Sequence, residues 1–195
     1  TGDARKGALG LYRGQRGRMQ IEVVVTGRSC HGSMPSEGLN PLEWGAAMLV
    51  EATHRHERGE GFATNLFLGA GTRTASWATL ESPSDCAVPD RFTFRFDRRL
   101  TVGETPAGAL ASVAGLDAVR DARAAGLRVD VRVPVYDQPT WRGYVPGNEQ
   151  IYMGISMPWK GGAVRLGTTW ISAVVLDGVF SEGTILNTMI GAMQN

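Results

Sequence analysis

Residues 91–100 read RFTFRFDRRL, which sets Phe92, Phe94 and Phe96 on one side of an extended chain and Arg91, Thr93, Arg95 and Asp97 on the other. Successive side chains of a strand point to opposite faces, so one face of this strand is core and the other is wet. That alternation argues against the central strand of a doubly wound parallel sheet, which is apolar on both faces. It fits an open antiparallel sheet covered on one side.

The flanking segments repeat the pattern. Upstream, MQIEVVVT (19–26) alternates, is rich in β-branched residues and stops at Gly27. Residues 28–39 form a loop carrying His31, Pro35 and Gly38, and a helix follows, with Asn40 as N-cap and Pro41 at its first position. Leu42, Ala46, Leu49, Val50 and Ala52 keep a period near 3.6 until the polar run from His54 to Gly59. The apolar run FATNLFLGAG (62–71) and the alternating TASWATLES (74–82) are separated by a turn or bulge at Gly69 and Gly71. Downstream, the Ala-rich stretch 103–125 is expected to be one amphipathic helix closed by Gly126, and LRVDVRVPV (127–135) a last strand. The order is strand, helix, one or two strands, strand, helix, strand. It predicts an α+β, ferredoxin-like open antiparallel sheet with two helices on one face. Residues 1–18 read as a lead-in loop, and after Tyr136 the texture becomes loop-like, with apolar but uncapped runs from 151 to 195.

Composition narrows the function classes. Twenty Lys and Arg against nineteen Asp and Glu leave a net charge of +1 over 195 residues, so no global field holds nucleic acid or an anionic membrane. A hydrophobic fraction of 43% with 20% charged residues supports a buried core. Two cysteines, Cys30 and Cys86, are too few for a disulfide framework and point to a reducing cytoplasm. The opening Thr1-Gly2-Asp3 reads as the middle of a longer protein.

Candidate chemistry is sparse. Three histidines cannot by their spacing build a metal site: His54 and His56 lie two apart on a helix and face different directions, which suits cations at a helix C-terminus. His31 lies between Cys30 and Gly32 just before the Asn40 cap, and the pattern accommodates both a displayed functional imidazole and an ordinary loop histidine. Ser29 and Ser33 beside it lack the G-x-S-x-G frame of a nucleophile. Arg98 and Arg99 with Asp97 at a strand end read either as an anion clamp or as a solvated strand edge. Nothing points to a phosphate-binding loop, since KGGAVRLGTT has Thr168 where the motif needs a lysine after its second glycine.

Three segments together, residues 12–41, 82–105 and 136–149, resemble the lid or dimerisation domain of the di-zinc metallopeptidases that include aminoacylases, acetylornithine deacetylase, succinyl-diaminopimelate desuccinylase and glutamate carboxypeptidases. Gly27, His31, Pro35, Gly38 and Asn40 match the family's first block at its spacing, and Pro89, Asp90, Asp97, Arg99 and Glu104 match the second. The resemblance implies a ferredoxin-like lid over residues 19–137, preceded by a lead-in (1–18) from a catalytic domain outside this chain and followed by a linker and tail (138–195). It implies pairing of lids across a two-fold axis, a peptide or N-acyl amino acid substrate, and zinc held by the absent domain, with no metal ligand in this chain. It further implies that His31 reaches the partner's active site and donates a hydrogen bond to the oxyanion formed when an amide carbonyl is attacked. Arg99 would hold a substrate carboxylate, with Asn40 and Cys86 as further substrate contacts, Cys86 standing where the family often has Asn. A different reading, from another class, is a self-associating interaction module without chemistry. A third, an RNA-binding sheet, needs exposed aromatics where Phe92, Phe94 and Phe96 are expected to be core.

Overall fold

The row of phenylalanines is buried as the alternation requires: Phe92, Phe94 and Phe96 are 7%, 1% and 2% exposed, on the same face as Met19, Ile21, Val23 and Val25 of the neighbouring strand. The computed structural model describes residues 14–152, 155–156, 163–166 and 169–172. In chain order the elements are β1 (Gly14–Gln15), β2 (Gly17–Thr26), α1 (Pro41–Glu57), β3 (Thr64–Asn65), β4 (Gly69–Ala70), β5 (Thr72–Glu81), β6 (Arg91–Leu100), α2 (Pro106–Ala114), α3 (Asp117–Ala124), β7 (Arg128–Arg132), β8 (Ile151–Tyr152), β9 (Ile155–Ser156), β10 (Ala163–Leu166) and β11 (Thr169–Ser172). They fall into two units, Arg16–Gly154 and the combination of Thr1–Gln15 with Ile155–Asn195. In the second unit β1 pairs with β9 and β10 with β11, both antiparallel.

The first unit is built on a five-stranded antiparallel sheet in the order β5-β6-β2-β7, with β8 also pairing with β2. Helix α1 lies against β6, β2 and β5, while α2 and α3 cover the β7 side. Met48 and Ala52 of α1, Ala109 and Val113 of α2, and Leu116, Val119 and Ala122 at α3 meet the sheet in one core. The architecture is the α+β fold expected from the strand pattern.

Two local expectations change, and the ends extend the sheet: β2 starts at Gly17, within the stretch read as a lead-in loop, and β8, beyond Tyr136, pairs with β2. The stretch 103–125 is two helices, broken at Gly115 and Leu116, where Leu116 adopts an extended φ of −63° and ψ of 141°. The break drives Leu116 into the core, where it is 1% exposed. It is compensated from outside the segment, because the Glu51 carboxylate on α1 accepts from the Asp117 and Ala118 backbone N–H groups at 2.9 and 2.7 Å. Those are orphan donors at the start of α3, satisfied by a side chain of another helix rather than a local cap.

The second change concerns Arg98. It is in phase with Phe92, Phe94 and Phe96 and therefore points inward, 1% exposed, on an interior strand and not a solvated edge. Its Nη2 donates to Glu104 at 2.7 Å, and Glu104 also accepts from the backbone N–H groups of Ala63 and Thr101. Arg73, opposite Arg98 on β5, is buried too and donates to the carbonyl of Ala52. Burial, with the repulsion of Arg98 and Arg55, pushes the Arg73 guanidinium down to about 10. Both guanidiniums sit over the Phe62 ring, at 5.4 and 4.2 Å from its centroid. Cation–π attraction to that ring offsets part of the desolvation cost.

Candidate functional site

The loop after β2 is held by backbone pairing on both sides. Arg28 and Leu39 exchange N–H···O bonds of 3.0 and 2.9 Å, closing the base of the loop. Gly27 is required there, since a Cβ would lie 2.7 Å from Pro41 Cδ and would also strike the Leu39 carbonyl. Further out the loop is zipped to the segment before β6: Val88 N–H donates to Cys30 O at 2.9 Å, Gly32 N–H to Cys86 O at 2.8 Å, and His31 lies opposite Ala87. The Ser29 hydroxyl donates to Val88 O at 2.6 Å. A short 3-10 turn, Pro35–Glu37, then leads to Gly38, whose hydrogen faces the Cys30 sulfur where a Cβ would come within 2.7 Å. Asn40 Oδ1 accepts from Leu42 N–H at 3.0 Å and starts α1.

His31 is displayed on this frame. Its side chain is exposed, and Nδ1 is met by Ser33 Oγ at 2.8 Å and by Ser33 backbone N–H at 3.2 Å. Cys86 is exposed beside it, with its carbonyl committed to Gly32. His31, Asn40 and Cys86 therefore belong to one end of the sheet. Arg99 does not. It is eight residues beyond Arg91 on β6 and pairs with Arg18, so at about 3.4 Å per residue it stands at the opposite end of the sheet, more than about 25 Å away. There its Nε donates to Asp97 at 2.6 Å, and Arg18 Nε donates to the same carboxylate at 2.8 Å. Burial would raise the Asp97 carboxyl, but the hydrogen bonds from Arg18 and Arg99 hold it below its ordinary value. The clamp of Arg98 with Arg99 is not formed, because the two side chains leave opposite faces of the sheet.

Other charged groups on the open face of the sheet are paired among themselves. Glu22, 4% exposed, accepts from Arg95 and Arg132, which overcome the effect of burial and lower its carboxyl. His56 lies in the last turn of α1 as its spacing predicts, tilted against Phe62 at 4.6 Å between ring centroids, and burial together with Arg73 and Arg98 lowers its imidazole, which weakens a helix-end cation there. Among the described residues no three His, Cys, Asp or Glu side chains gather where a metal ion could be held. No helix among them is long and apolar enough to cross a membrane. The sequence presents Ser33 only as a serine without the frame of a nucleophile, whereas in the fold it meets His31. Its contact with His31 was signalled by the two-residue spacing across Gly32, as in a tight turn.

Comparison with known proteins agrees with this fold. A model of the family described as peptidase dimerisation domain matches residues 13–116. The uncharacterised protein YgeY of Escherichia coli (strain K12) is 44% identical over 135 residues, which are 69% of this chain and 32% of YgeY. The chain thus spans about a third of the length of the curated relatives it matches. Among solved structures, aminopeptidase PepT from Bacillus cereus superposes with a TM-score of 0.52 at 13% identity, over 76% of this chain and 33% of that one. An amidohydrolase/peptidase from Burkholderia cenocepacia gives 0.50 at 16%, over 74% and 30%. At these identities the structural likenesses speak for the fold alone. With the family match extending over more than half of the residues, and covering β2, the His31 loop, α1, β5, β6 and α2, the chain belongs to the peptidase dimerisation domain family.

Proposed function

We propose that this domain is the dimerisation module and active-site lid of a zinc-dependent hydrolase of amide bonds, in peptides or N-acyl amino acids. It offers His31 to the partner's reaction centre, while Arg99 receives a substrate carboxylate in its own. The observation that carries this reading is the separation of the two residues along one sheet. They stand at its opposite ends, so one chain cannot bring both to a single substrate, whereas two chains related by a two-fold axis can. The metal has no set of ligands among the described residues, so zinc would be held by parts of the parent protein outside them. What this chain supplies is positioning. His31 would present an N–H to the developing oxyanion from a loop pinned at Arg28–Leu39 and at residues 86–88, and such preorganised donors are effective because nothing need reorient during the reaction. Asn40 spends its oxygen on the α1 cap, which leaves its amide N–H groups for substrate. Cys86, beside the His31 loop, would contribute a thiol contact. The segments before Arg16 and after Gly154, outside the unit that holds the sheet, would connect the lid to the catalytic body. Free cysteines at 30 and 86 suit a reducing cytoplasm.

The test is His31→Ala in the full-length parent. Loss of one oxyanion donor lowers turnover by about 10² to 10³, with KM little changed. Mixing this variant with subunits disabled in their own metal site should restore part of the activity in the heterodimer. Full turnover by the His31→Ala homodimer would reject the role, and inactivity of the mixed dimer would reject the trans arrangement.

A further inference from the structure

We infer that Ser33 is a positioning residue for His31, holding the neutral imidazole in the tautomer with its proton on Nε2 and that edge directed away from the loop. The inference deepens the lid reading above and rests on it for its catalytic meaning. Its structural content stands on the geometry alone.

His31 to Met34 is a tight turn closed by Met34 N–H donating to His31 O at 2.9 Å, with Gly32 and Ser33 in the middle. Gly32 is fitted to the Cys86 carbonyl: its N–H donates to that oxygen, and a Cβ at this position would lie 2.5 Å from it. With the turn pinned from outside, the next N–H, that of Ser33, is turned back on the ring and lies 3.2 Å from Nδ1. A backbone N–H can only donate. Nδ1 therefore meets it with a lone pair, and a neutral imidazole with a lone pair on Nδ1 carries its proton on Nε2. The Ser33 hydroxyl, 2.8 Å from the same nitrogen, adds a second donor to Nδ1. Two donors converging on one ring nitrogen select both the tautomer and the ring orientation. An oxyanion needs an N–H aimed at it, so the tautomer held by Ser33 is the one that the proposed role requires.

The experiment has two arms. In the first, the 195-residue chain is labelled with 15N-histidine and the ring nitrogens are read at about pH 8.5, roughly two units above the ordinary histidine value, where imidazoles are neutral. His31 should show a lone-pair Nδ1 and a protonated Nε2. Ser33→Ala removes the hydroxyl donor and keeps the backbone one, so it should move the ring shifts part of the way toward those of a free imidazole exchanging tautomers, and Ser33→Thr should restore them. A protonated Nδ1 in the unaltered chain, or ring shifts indifferent to Ser33→Ala, overturns the inference. In the second arm, full-length parent enzyme carrying Ser33→Ala should lose about fivefold in kcat, the worth of one ordinary hydrogen bond, at unchanged KM, with recovery in Ser33→Thr. Adding Ser33→Ala to His31→Ala should cost nothing more, because residues acting through one another are not additive. A full additive loss overturns the inference. Should His31→Ala keep full turnover while the ring signature is as described, the oxyanion reading fails and the positioning of the ring by Ser33 is upheld.

Discussion

At the scale of single residues, the buried pair Arg98 and Glu104 decides most. Side chains of 1% and 7% exposure face each other at 2.7 Å, and the carboxylate also ties down the backbone at Ala63 and Thr101. Removing the anion leaves Arg98 buried next to Arg73 without a counter-charge. Breaking one partner of a buried pair costs about 3–5 kcal/mol. Glu104→Ala should therefore lower the urea midpoint by that equivalent, while Glu60→Ala, whose carboxylate pairs with Arg58 at the surface, should leave it nearly unchanged. Equal effects of the two substitutions would contradict the placement of Arg98. Phase along β6 makes the inward direction of Arg98 readable, but an isolated string of residues gives no sign that a carboxylate six positions later folds back to meet it.

At the scale of elements, α1 is seated on the sheet through Gly45. A Cβ there would come within 2.8 Å of Phe92 Cε1 and closer still to Cδ1, so the helix axis approaches β6 only because position 45 has no side chain. Helix propensity alone favours alanine over glycine by about 1 kcal/mol. Packing opposes it, since inserting a methyl group into a filled core costs about 1–3 kcal/mol. The clash is with an aromatic ring held between Gly45 and Phe94, so packing wins, and Gly45→Ala should destabilise the chain, as a thermal melt would show by a lower Tm. A higher Tm would mean that α1 rides further from the sheet. The division of 103–125 into α2 and α3 belongs to this scale as well. Gly115 weakens the helix locally, but the second start is supported by Glu51, a residue of α1 more than sixty positions earlier.

Across the whole molecule, three acid-side groups act in one direction. His56 has its imidazole lowered, so the unfolded chain takes up a proton first as pH falls below the ordinary 6.5, and stability begins to decline there. Glu22 and Asp97 have lowered carboxyls, so their contributions are complete above their ordinary values of 4.5 and 3.8 and are lost as pH falls further through the folded values. Stability measured by chemical denaturation should therefore fall in two stages on acidification, and His56→Gln should remove the first without the second. A flat profile between pH 7 and about 5 in the unaltered chain would contradict the environment of His56. The other property of the whole is assembly. β5 is a ten-residue edge strand with Trp77 and Leu80 about 45% and 44% exposed, and α1 above it exposes Val50 at 55%. A long edge strand with free backbone groups on its outer side invites strand pairing. The chain should sediment as a dimer at micromolar concentration, and Val50→Lys with Leu80→Lys should shift it to monomer without altering the circular dichroism, both side chains being already outside the core. A persistent dimer in the double variant would place the interface elsewhere.

Period-two alternation at 91–100 and 19–26, the Asn40-Pro41 start of α1 and the glycines that end elements are short-range signals, because strand pleat, capping and turn geometry depend on neighbours a few positions away. They determined the sheet, its covered face and the display of His31 on a loop. The remaining features depend on residues far apart in the chain. The Arg98–Glu104 pair stands under the Phe62 ring, the Glu51 cap on α3 comes from another helix, and the zipping of residues 30–32 to 86–88 joins two loops. Arg99 and His31 are assigned to opposite ends only by the antiparallel register of β6 on β2. These are contacts whose energy depends on burial and distance in the folded molecule, and neither quantity exists until the chain has closed on itself.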